Sequence, residues 1–399
     1  MSGGPDALRG VFPKGETNVA TLPAAPTQSL QPDVAISPTF DRNLLNGFSG
    51  TSLDRVVTDP IPPAVSLIRH PERRHQNDTA EVDESVVQNG AGSGRSIGLL
   101  LATYNGTRFI DQTLAAIAAQ TRLPDQIVLV DDASSDTTAA KAAEWRHRLP
   151  LEVLVQPRNG GVSRARNKAA RHLETDLLAV LDGDDVLLPD HLAVLESLHA
   201  AKGGIASPLA CFWVPGQRRT QYQRRLRGLT TPRNNQLRKL IHKNYVFVAS
   251  LVSRKDFERV GGYSEGERTQ DMTSDWDLWL RLVAAGCRVS QGHFPTVLYR
   301  IVAGSMADDT VHLLESEIIQ LNRTRSFVPT NLHREIDKAI ANRRAELAVL
   351  ALSDSGDRVT LARMALGPKG GDHRNRARAL GTALAPQLSA HVVRRRGVW

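Results

Sequence analysis

The chain has 399 residues, of which 41% are hydrophobic and 23% charged, and its formal net charge is +8. It has only two cysteines, Cys211 and Cys287, which excludes a disulfide framework and predicts buried free thiols in a reducing compartment. The first residues lack the pattern of a secretory signal, and no apolar run reaches the roughly 18 residues of a membrane span, so we expect neither.

The first 95 residues differ in composition from the rest of the chain. They contain ten of the 21 prolines, together with many Ser, Thr, Asn and Gly residues. Their apolar residues follow neither the period of a helix nor that of a strand. Such a segment buries too little apolar surface to offset the entropy of ordering, so we predict that residues 1–95 are mostly disordered.

From Ser96 onward, short apolar runs alternate with segments of helical spacing. The apolar runs predict four strands, at 97–102, 126–130, 151–155 and 177–181, and the first and last of them are expected to be buried. The segments between them predict helices at 109–118, 137–147 and 163–172. Because strand and helix alternate, we predict an α/β fold with a mostly parallel sheet and helices on both faces.

Polar residues follow the carboxyl ends of three of these strands. They are residues 103–106, the pair Asp131-Asp132 and the acidic residues 182–185. Ligands of open α/β sheets bind beyond the carboxyl ends of the strands. The three clusters therefore predict one binding site at a single edge of the sheet.

The most informative of these clusters is Leu181-Asp182-Gly183-Asp184-Asp185. Three like charges within four residues repel one another, and oxygen ligands at this spacing suit Mg²⁺ or Mn²⁺ bridging to substrate phosphates. The alternative is an acidic turn that only caps the helix after Pro189. An EF-hand is not expected, because its turn glycine would fall at Leu187 and its bidentate acid at Ala193.

The sequence has neither a GxGxxG run nor a Walker pattern, so a glycine-rich loop is not expected to hold the phosphates. Asn159–Asn167 instead places a glycine turn at a helix start, followed by Arg164 and Arg166, and both features favour anions. The alternative is that these arginines pair with surface acids. Asp132 can accept hydrogen bonds from a nucleobase or a ribose, or it can cap the turn that follows it.

An amphipathic helix is predicted at 273–282, with Trp276 and Trp279 on its apolar stripe. Asp275 lies at its start, where an acid can serve merely as a cap. A carboxylate beside bulky aromatic residues can also have a raised pKa and act as a general base near neutral pH. Further on, Tyr299-Arg300 is positioned in the sequence to reach a diphosphate.

Two basic blocks account for the positive charge. Residues 215–250 contain Lys and Arg but no acid, and residues 321–399 contain 15 Lys or Arg against six Asp or Glu. Such blocks favour phosphates, an anionic membrane surface or nucleic acid, or they only keep an exposed segment soluble. Helical patches at 336–352 and 359–366 precede a basic end with Trp399, which predicts either contact with an anionic leaflet or a helical cap on the core.

Taken together and in this order, these motifs resemble family two of the inverting glycosyltransferases, which have the GT-A fold. The resemblance covers about residues 96–306, between a Pro-rich region at 1–95 and a basic helical extension at 307–399. It rests on the motifs LLLATYNG at 99–106, VDDASSDTT at 130–138, NGGVSRARN at 159–167, LDGDD at 181–185, GGYSE at 261–265, SDWDLWLRL at 274–282 and YR at 299–300.

The resemblance implies a role for each matching position. It implies that Asp275 is the catalytic base and that Asp184 and Asp185 hold Mn²⁺ or Mg²⁺. It implies donor-binding roles for Thr103, Tyr104, Asn105, Asp132, Arg166, Asp182 and Arg300. Two positions depart from the family pattern: Ser274 stands where Glu is frequent, which bears on base tuning, and Val302 where His is frequent, which bears on a diphosphate or metal contact.

We therefore expect a metal-dependent transfer of sugar from a nucleotide sugar to a glycan, lipid-linked or other hydroxyl acceptor, in the synthesis of cell-surface polysaccharide or glycoconjugate. The expected location is the cytoplasm or the inner face of the plasma membrane, held there by the basic segments. The alternative is an inactive GT-A protein that binds carbohydrate or nucleotide. A nucleic-acid partner is not expected, because the chain has no basic-aromatic stacking platform.

Overall fold

The computed structural model describes residues 94–213, 231–266, 271–301 and 309–355. Almost all of the segment predicted to be disordered, residues 1–95, lies outside these ranges. So do much of the first basic block, the predicted helix at 359–366 and the basic carboxyl-terminal residues.

The four strands predicted from the apolar runs form one side of the sheet. They are β1 (Ile97–Thr103), β2 (Gln126–Asp131), β3 (Leu151–Val155) and β4 (Leu177–Asp182). They lie in the order β3-β2-β1-β4, and every pairing among them is parallel. The register aligns Thr103 with Asp131 and Ala102 with Asp182, so the three predicted polar loops leave the sheet at the same edge.

The sheet continues beyond β4 in a mixed arrangement. The further strands are β5 (Val186–Leu187), β6 (Ile205–Trp213), β7 (Leu251–Ser253) and β8 (Val289–Arg300), and the complete order is β3-β2-β1-β4-β7-β6-β8-β5. Strand β7 is antiparallel to β4 and β6, whereas β6 and β8 are parallel. Strand β5 pairs with β8 in the antiparallel direction. The expectation of a mostly parallel sheet is thus confirmed.

Helices cover both faces of the sheet, as predicted. They are α1 (Ile110–Ala118), α2 (Thr138–Ala143), α3 (Val162–His172), α4 (His191–Lys202), α5 (Gln236–His242), α6 (Arg254–Arg259), α7 (Ser274–Ala284), α8 (Thr310–Thr324) and α9 (His333–Ser355), with 3₁₀ turns at Glu144–His147 and Thr330–Leu332. Successive residues of a strand point to opposite faces. Accordingly Leu99 and Leu101 belong to the core beneath α1 and α4, and Leu100 and Ala102 to the core beneath α3 and α7.

The carboxyl-terminal helices α8 and α9 pack into the core that lies beneath α3 and α7. Leu321 of α8 and Ile336 of α9 are fully buried in the same cluster as Trp276 and Leu240. As far as it is described, the carboxyl-terminal region therefore caps the core, which was one of its two predicted roles. Within the described residues, no helix is both long and apolar enough to cross a bilayer.

The two cysteines are free and buried, as the composition predicted. Burial raises the pKa of both thiols to about 11, so neither is ionised at neutral pH. Buried cysteines of this kind are inert and serve as small apolar side chains.

Candidate functional site

The three polar loops at the carboxyl edge of β1, β2 and β4 contact one another. The Asp132 amide donates to the Thr103 carbonyl over 2.9 Å, and the Gly183 amide donates to the Ala102 carbonyl over 3.2 Å. A Cβ at position 183 would lie 2.8 Å from the Thr103 Cβ, so only glycine allows the acidic loop to approach β1 this closely. The loops therefore form a single edge.

The loop after β1 presents one exposed aromatic ring. Asn105 has a left-handed backbone conformation, with φ 49°. Its side-chain Oδ1 accepts a hydrogen bond from the Ser135 backbone amide at 2.9 Å, and its backbone amide donates to Ser134 Oγ. These bonds tie the loop to the residues after β2. Thr103 is buried, whereas Tyr104 is 51% exposed. The tyrosine ring is thus available to a ligand at this edge.

Asp132 supports the glycine turn that precedes α3. Its two carboxylate oxygens accept from the Gly160 amide at 2.7 Å and the Gly161 amide at 2.8 Å, and Gln156 donates to the same carboxylate. The residue is 4% exposed. In the structure this carboxylate therefore fixes the turn, and its contact with a base or ribose stays a prediction.

Arg166 links the acidic loop to the start of α7. It extends from α3, donates to the Asp182 carboxylate, and reaches Ser274 Oγ at 3.3 Å. Its guanidinium carbon lies 5.2 Å from the centre of the Tyr263 ring. Burial alone would lower the pKa of Arg166, but the charge and hydrogen bond of Asp182, together with Tyr263 and Asp275, outweigh it and the pKa is raised. The arginine is therefore a fixed positive charge between the two halves of the site.

The acidic loop itself carries repelling carboxylates. Burial, followed by the charge of Asp182, raises the pKa of Asp184 to about 6. Asp185 is nearly inaccessible; burial and the neighbouring Asp184 hold its pKa well above the ordinary value. One oxygen of Asp185 accepts from the Arg300 amide at 3.0 Å, whereas its Oδ2 is buried without a hydrogen-bond partner among the described residues.

Arg300 lies beneath the acidic loop. Its Nε donates to the Asp184 carbonyl at 2.6 Å and one Nη donates to Gln112 at 2.7 Å. Its guanidinium carbon lies 4.5 Å from the Phe109 ring centre and 4.3 Å from that of Trp213. Arg300 is only 3% exposed. Its contacts hold the acidic loop in place. Its contact with a diphosphate stays a prediction.

A hard divalent cation fits the acidic loop. Asp184 and Asp185 offer carboxylate oxygens whose pKa values are raised by burial and then by the neighbouring carboxylates, and Asp185 Oδ2 has no hydrogen-bond donor among the described residues. In the described ranges, no three His, Cys, Asp or Glu side chains form a cluster able to hold a metal by themselves. Mg²⁺ and ions like it commonly bind through one or two carboxylates together with substrate phosphates and water.

Asp275 lies in the first turn of α7, close to this loop. One of its oxygens accepts from the Trp276 amide at 2.8 Å and the other from Asn244 Nδ2 at 3.1 Å. Burial raises the pKa of Asp275, and Asp182 adds to this effect, whereas Arg166 opposes it. The helix begins after Thr273 and has no side-chain cap, so Asp275 is not its N-cap.

The charges of four acidic residues of the site act on one phenol, that of Tyr299. After burial, the charges of Asp182, Asp184, Asp185 and Asp275 all raise the pKa of Tyr299. These carboxylates come from the acidic loop at the end of β4 and from α7, which are distant in sequence. The gathering of acids at one edge of the sheet, which the loops predicted, is therefore present.

Sequence reasoning did not single out Asn244 or Tyr263. Asn244 follows α5 and belongs to the basic block 215–250. The charges of that block do not predict a contact with Asp275. Tyr263 was quoted only as part of the GGYSE motif, yet its ring lies against Arg166. Neither contact has a periodic or spacing signal, because each depends on how distant segments pack.

Comparison with known proteins agrees with this architecture. The family model described as glycosyl transferase family 2 matches residues 99–261. The amylovoran biosynthesis glycosyltransferase AmsE of Erwinia amylovora is 28% identical over 214 residues, which are 52% of this chain and 76% of that protein. Validoxylamine A glucosyltransferase of Streptomyces hygroscopicus subsp. limoneus is 31% identical over 118 residues, which are 29% of this chain and 26% of that protein.

A solved structure shares the fold. The mannosyltransferase PcManGT of Pyrobaculum calidifontis, solved with GDP-Man and Mn²⁺, aligns with a TM-score of 0.50 and 17% identity over 76% of this chain and 87% of its own. The fold is thus that of the GT-A glycosyltransferases. Residues 99–261 thus carry a domain similar to glycosyl transferase family 2.

Proposed function

We propose that this protein transfers a sugar, with inversion at the anomeric carbon, from a nucleoside-diphosphate sugar to a hydroxyl group of an acceptor. The observation that carries the proposal is the meeting of the acidic loop 182–185 and Asp275 around Arg166, at the edge where this fold binds ligands. The family of the domain supports the same chemistry.

The donor is proposed to bind over the three polar loops. The exposed Tyr104 ring offers a surface on which a nucleobase can lie, beside Thr103 and Asn105. Asp132 and Asp182 are proposed to face the base and the ribose, and Arg166 and Arg300 to favour the phosphates. The strong fixing of Asp132, Arg166 and Arg300 by internal contacts supports a site formed before the donor arrives.

Asp184 and Asp185 are proposed to hold Mn²⁺ or Mg²⁺. When bound, such an ion neutralises the charge that grows on the leaving diphosphate, an effect worth several kcal/mol. The fit of these carboxylates supports this assignment, and the related fold of PcManGT was solved with GDP-Man and Mn²⁺.

Asp275 is proposed to act as the general base. It accepts the proton of the acceptor hydroxyl while that oxygen forms a bond to the anomeric carbon. The bond between this carbon and the diphosphate oxygen breaks, and its electron pair leaves with the nucleoside diphosphate from the opposite face. The raised pKa of Asp275 supports this role, because a base whose pKa is nearer neutrality accepts a proton more effectively.

The acceptor is proposed to be a growing polysaccharide or another glycan, free or lipid-linked. The similarity to AmsE, named for amylovoran biosynthesis, supports this class. The basic block around Arg238 and Lys243 precedes the base in the chain and favours an anionic acceptor or membrane surface. A place in the cytoplasm, or at the inner face of the plasma membrane, follows from this proposal.

Two measurements test the proposal. The first is a thermal-shift screen of UDP-GlcNAc, GDP-mannose and other nucleotide sugars with Mn²⁺, in which a donor that binds the folded protein raises the melting temperature. The second is release of nucleoside diphosphate, with water as acceptor. Asp275→Asn should lower this release by about 10²–10⁴-fold while the thermal shift persists.

The control for this variant is Asp337→Asn, which makes the same chemical change on the exposed side of α9. It should leave both measurements unchanged. Transfer at the normal rate by Asp275→Asn would refute the base assignment. The alternative, an inactive binding protein in which Ser274 replaces a frequent Glu, predicts a thermal shift without any release of nucleoside diphosphate by the unaltered chain.

A further inference from the structure

Asn244 contacts the proposed base directly. Its Nδ2 donates to Asp275 Oδ2 at 3.1 Å, and its Oδ1 accepts from the Val246 amide at 3.2 Å. An ionised carboxylate only accepts hydrogen bonds and a backbone amide only donates them. The two partners therefore fix which end of the amide faces Asp275.

The segment that carries Asn244 is held on two sides. Trp276, the residue after the proposed base, donates from its indole to the Leu240 carbonyl of α5 at 2.8 Å. Arg343 of α9 donates to the His242 carbonyl at 2.7 Å, and its guanidinium carbon lies 5.6 Å from the Trp276 ring centre. The end of α5 is thus fastened to α7 and to α9, immediately before Asn244.

Arg343 is in turn fixed by a carboxylate. Its Nε donates to Glu317 of α8 at 2.9 Å, and the side chains of both residues are mostly buried. His242 also pairs with Glu335 of α9, at 2.8 Å. Helices α8 and α9 lie beyond residues 99–261, the range that the family model matches. Asp275 also lies beyond this range, so the proposed base and the helices that support it are both outside the matched residues.

We propose that Asn244 is a positioning residue that holds the carboxylate of Asp275 in one orientation, with Oδ1 on the Trp276 amide and Oδ2 on the Asn244 amide. This inference rests on the proposed function of Asp275 as the base. The segment at the end of α5 then orients the proposed base. Helices α8 and α9 then serve as the frame that keeps this end in place.

The charged and titratable groups that act on Asp275 come from other elements. Arg166 of α3 stabilises its ionised form, whereas Asp182 at the end of β4 destabilises it. The phenols of Tyr263 and Tyr299 also lie within its electrostatic reach. Asn244 is neutral, so its replacement by alanine removes the hydrogen bonds to Asp275 and from the Val246 amide and leaves the net charge of the site unchanged. This makes the contribution of Asn244 separable from the others.

The test compares Asn244→Ala and Asn244→Asp with the unaltered chain. The carboxyl signal of Asp275 is followed by carbon NMR in aspartate-labelled protein and assigned by its loss in Asp275→Asn. A hydrogen bond to the ionised form lowers a pKa, so Asn244→Ala should move the titration of Asp275 upward. Asn244→Asp should move it further upward, because a second carboxylate then faces the first.

Kinetics provide the second readout, as release of nucleoside diphosphate from UDP-GlcNAc or GDP-mannose with Mn²⁺ between pH 5 and 9. Asn244→Ala should lower kcat by about tenfold, a part of the 10²–10⁴-fold that a general base supplies, with the donor KM unchanged. The acidic limb of the profile should move upward with the NMR titration. Asn322→Ala, which removes an amide that donates to a backbone carbonyl on α8, should change neither measurement.

The outcomes separate the inference from the proposed function. An unmoved titration of Asp275 in Asn244→Ala overturns the positioning role, even if Asp275→Asn is inactive and the base assignment stands. A lower kcat with an unmoved acidic limb and a lower melting temperature assigns Asn244 a structural role only and also overturns it. Normal turnover by Asp275→Asn overturns the proposed function and the inference together.

Discussion

The two halves of the candidate site are built in different ways. The acidic loop and the loops after β1 and β2 follow adjacent parallel strands, so the register of the sheet brings them together. Asp275 lies on a helix whose neighbours, α5, α8 and α9, come from both sides of it in the chain. Strand order thus determines one half of the site, and long-range packing determines the other. Substitutions should therefore affect the two halves differently.

The strongest test of this comparison is Arg166→Met, because Arg166 joins the two halves. The change keeps much of the apolar stem but leaves the Asp182 carboxylate without its partner. Breaking a buried pair on one side costs about 3–5 kcal/mol, and we expect the lower end because the Asp182 side chain keeps 29% exposure. Urea unfolding measures this loss in the free energy of unfolding.

Arg164→Met is the matched control, two residues away on the same helix. Arg164 pairs with Glu265 at 3.4 Å, and both side chains are substantially exposed. Pairs of this kind contribute about 0–1 kcal/mol. Equal losses of unfolding free energy in the two variants would show that Arg166 contributes no more than a surface arginine does. Its proposed role in joining the two halves of the site would then be wrong.

The second test concerns the half that depends on packing. Ile336 of α9 is fully buried against the core beneath α7, whereas Ile319 of α8 is 40% exposed. Ile336→Ala should lower the free energy of unfolding by about 2–5 kcal/mol, because it removes buried methyl groups and leaves a cavity. Ile319→Ala should change it by about 0.5 kcal/mol or less.

Activity sharpens this second test. If α9 supports the base, Ile336→Ala should reduce the release of nucleoside diphosphate at temperatures well below its melting point. Donor binding, followed by the thermal shift, should change little, because the donor loops belong to the other half. A loss of donor binding equal to the loss of turnover would contradict the division of the site into two halves.

The parallel half was largely predictable from the sequence. The strands β1 to β4 and the helices between them lie within one or two residues of the predicted ranges, except that the second helix ends as a 3₁₀ turn, Glu144–His147. Buried parallel strands read as continuous apolar runs, and a polar residue such as Asp182 marks their end. The acidic loop could be located for the same reason.

The other half was predictable only in part. The helix that carries Asp275 was visible from the spacing of Trp276 and Trp279, but its partners were not. Strand β7, only three residues long, pairs with β4 in the antiparallel direction, a choice that no local pattern specifies. Asn244 reaches Asp275 only because α5 packs against α7. Sequence patterns report local periods, whereas these contacts depend on which distant segments meet.

A third, smaller effect is expected at the glycine turn of the parallel half. Gly161 has a φ of +88°, and a Cβ there would lie 2.0 Å from the Asp271 carboxylate. Gly161→Ala therefore adds a clash to backbone strain of about 1–3 kcal/mol. It should also displace the amide that donates to Asp132 and weaken donor binding.

Gly203→Ala separates the two contributions at Gly161. Gly203 has a φ of +62°, and a Cβ there would meet nothing within 4 Å, so this variant carries backbone strain alone. Chemical denaturation of both variants gives the difference due to the clash. A loss in Gly161→Ala no greater than that in Gly203→Ala would mean that the turn yields easily and that Asp132 does not depend on it.

The last expected effect is the pH dependence of the acidic loop. The pKa of Asp184 is raised from 3.8 to about 6, so the folded protein binds this proton more tightly than the unfolded chain does. The contribution of this group to stability is therefore complete below about pH 4 and is lost as the pH rises through about 6. A divalent cation on the ionised carboxylates should restore stability at pH 7, by about 2.7 kcal/mol at a hundredfold excess over its Kd.

Melting temperatures with and without Mn²⁺, at pH 5 and pH 7, measure this effect. The shift should be larger at pH 7, because at pH 5 a proton competes with the ion for Asp184. Asp184→Asn should remove the difference, and Asp337→Asn on α9 should preserve it. A Mn²⁺ shift of equal size at both pH values, or one retained in Asp184→Asn, would place the ion elsewhere. The repulsion within the loop would then require another explanation, because the structure offers Asp185 Oδ2 no donor among the described residues.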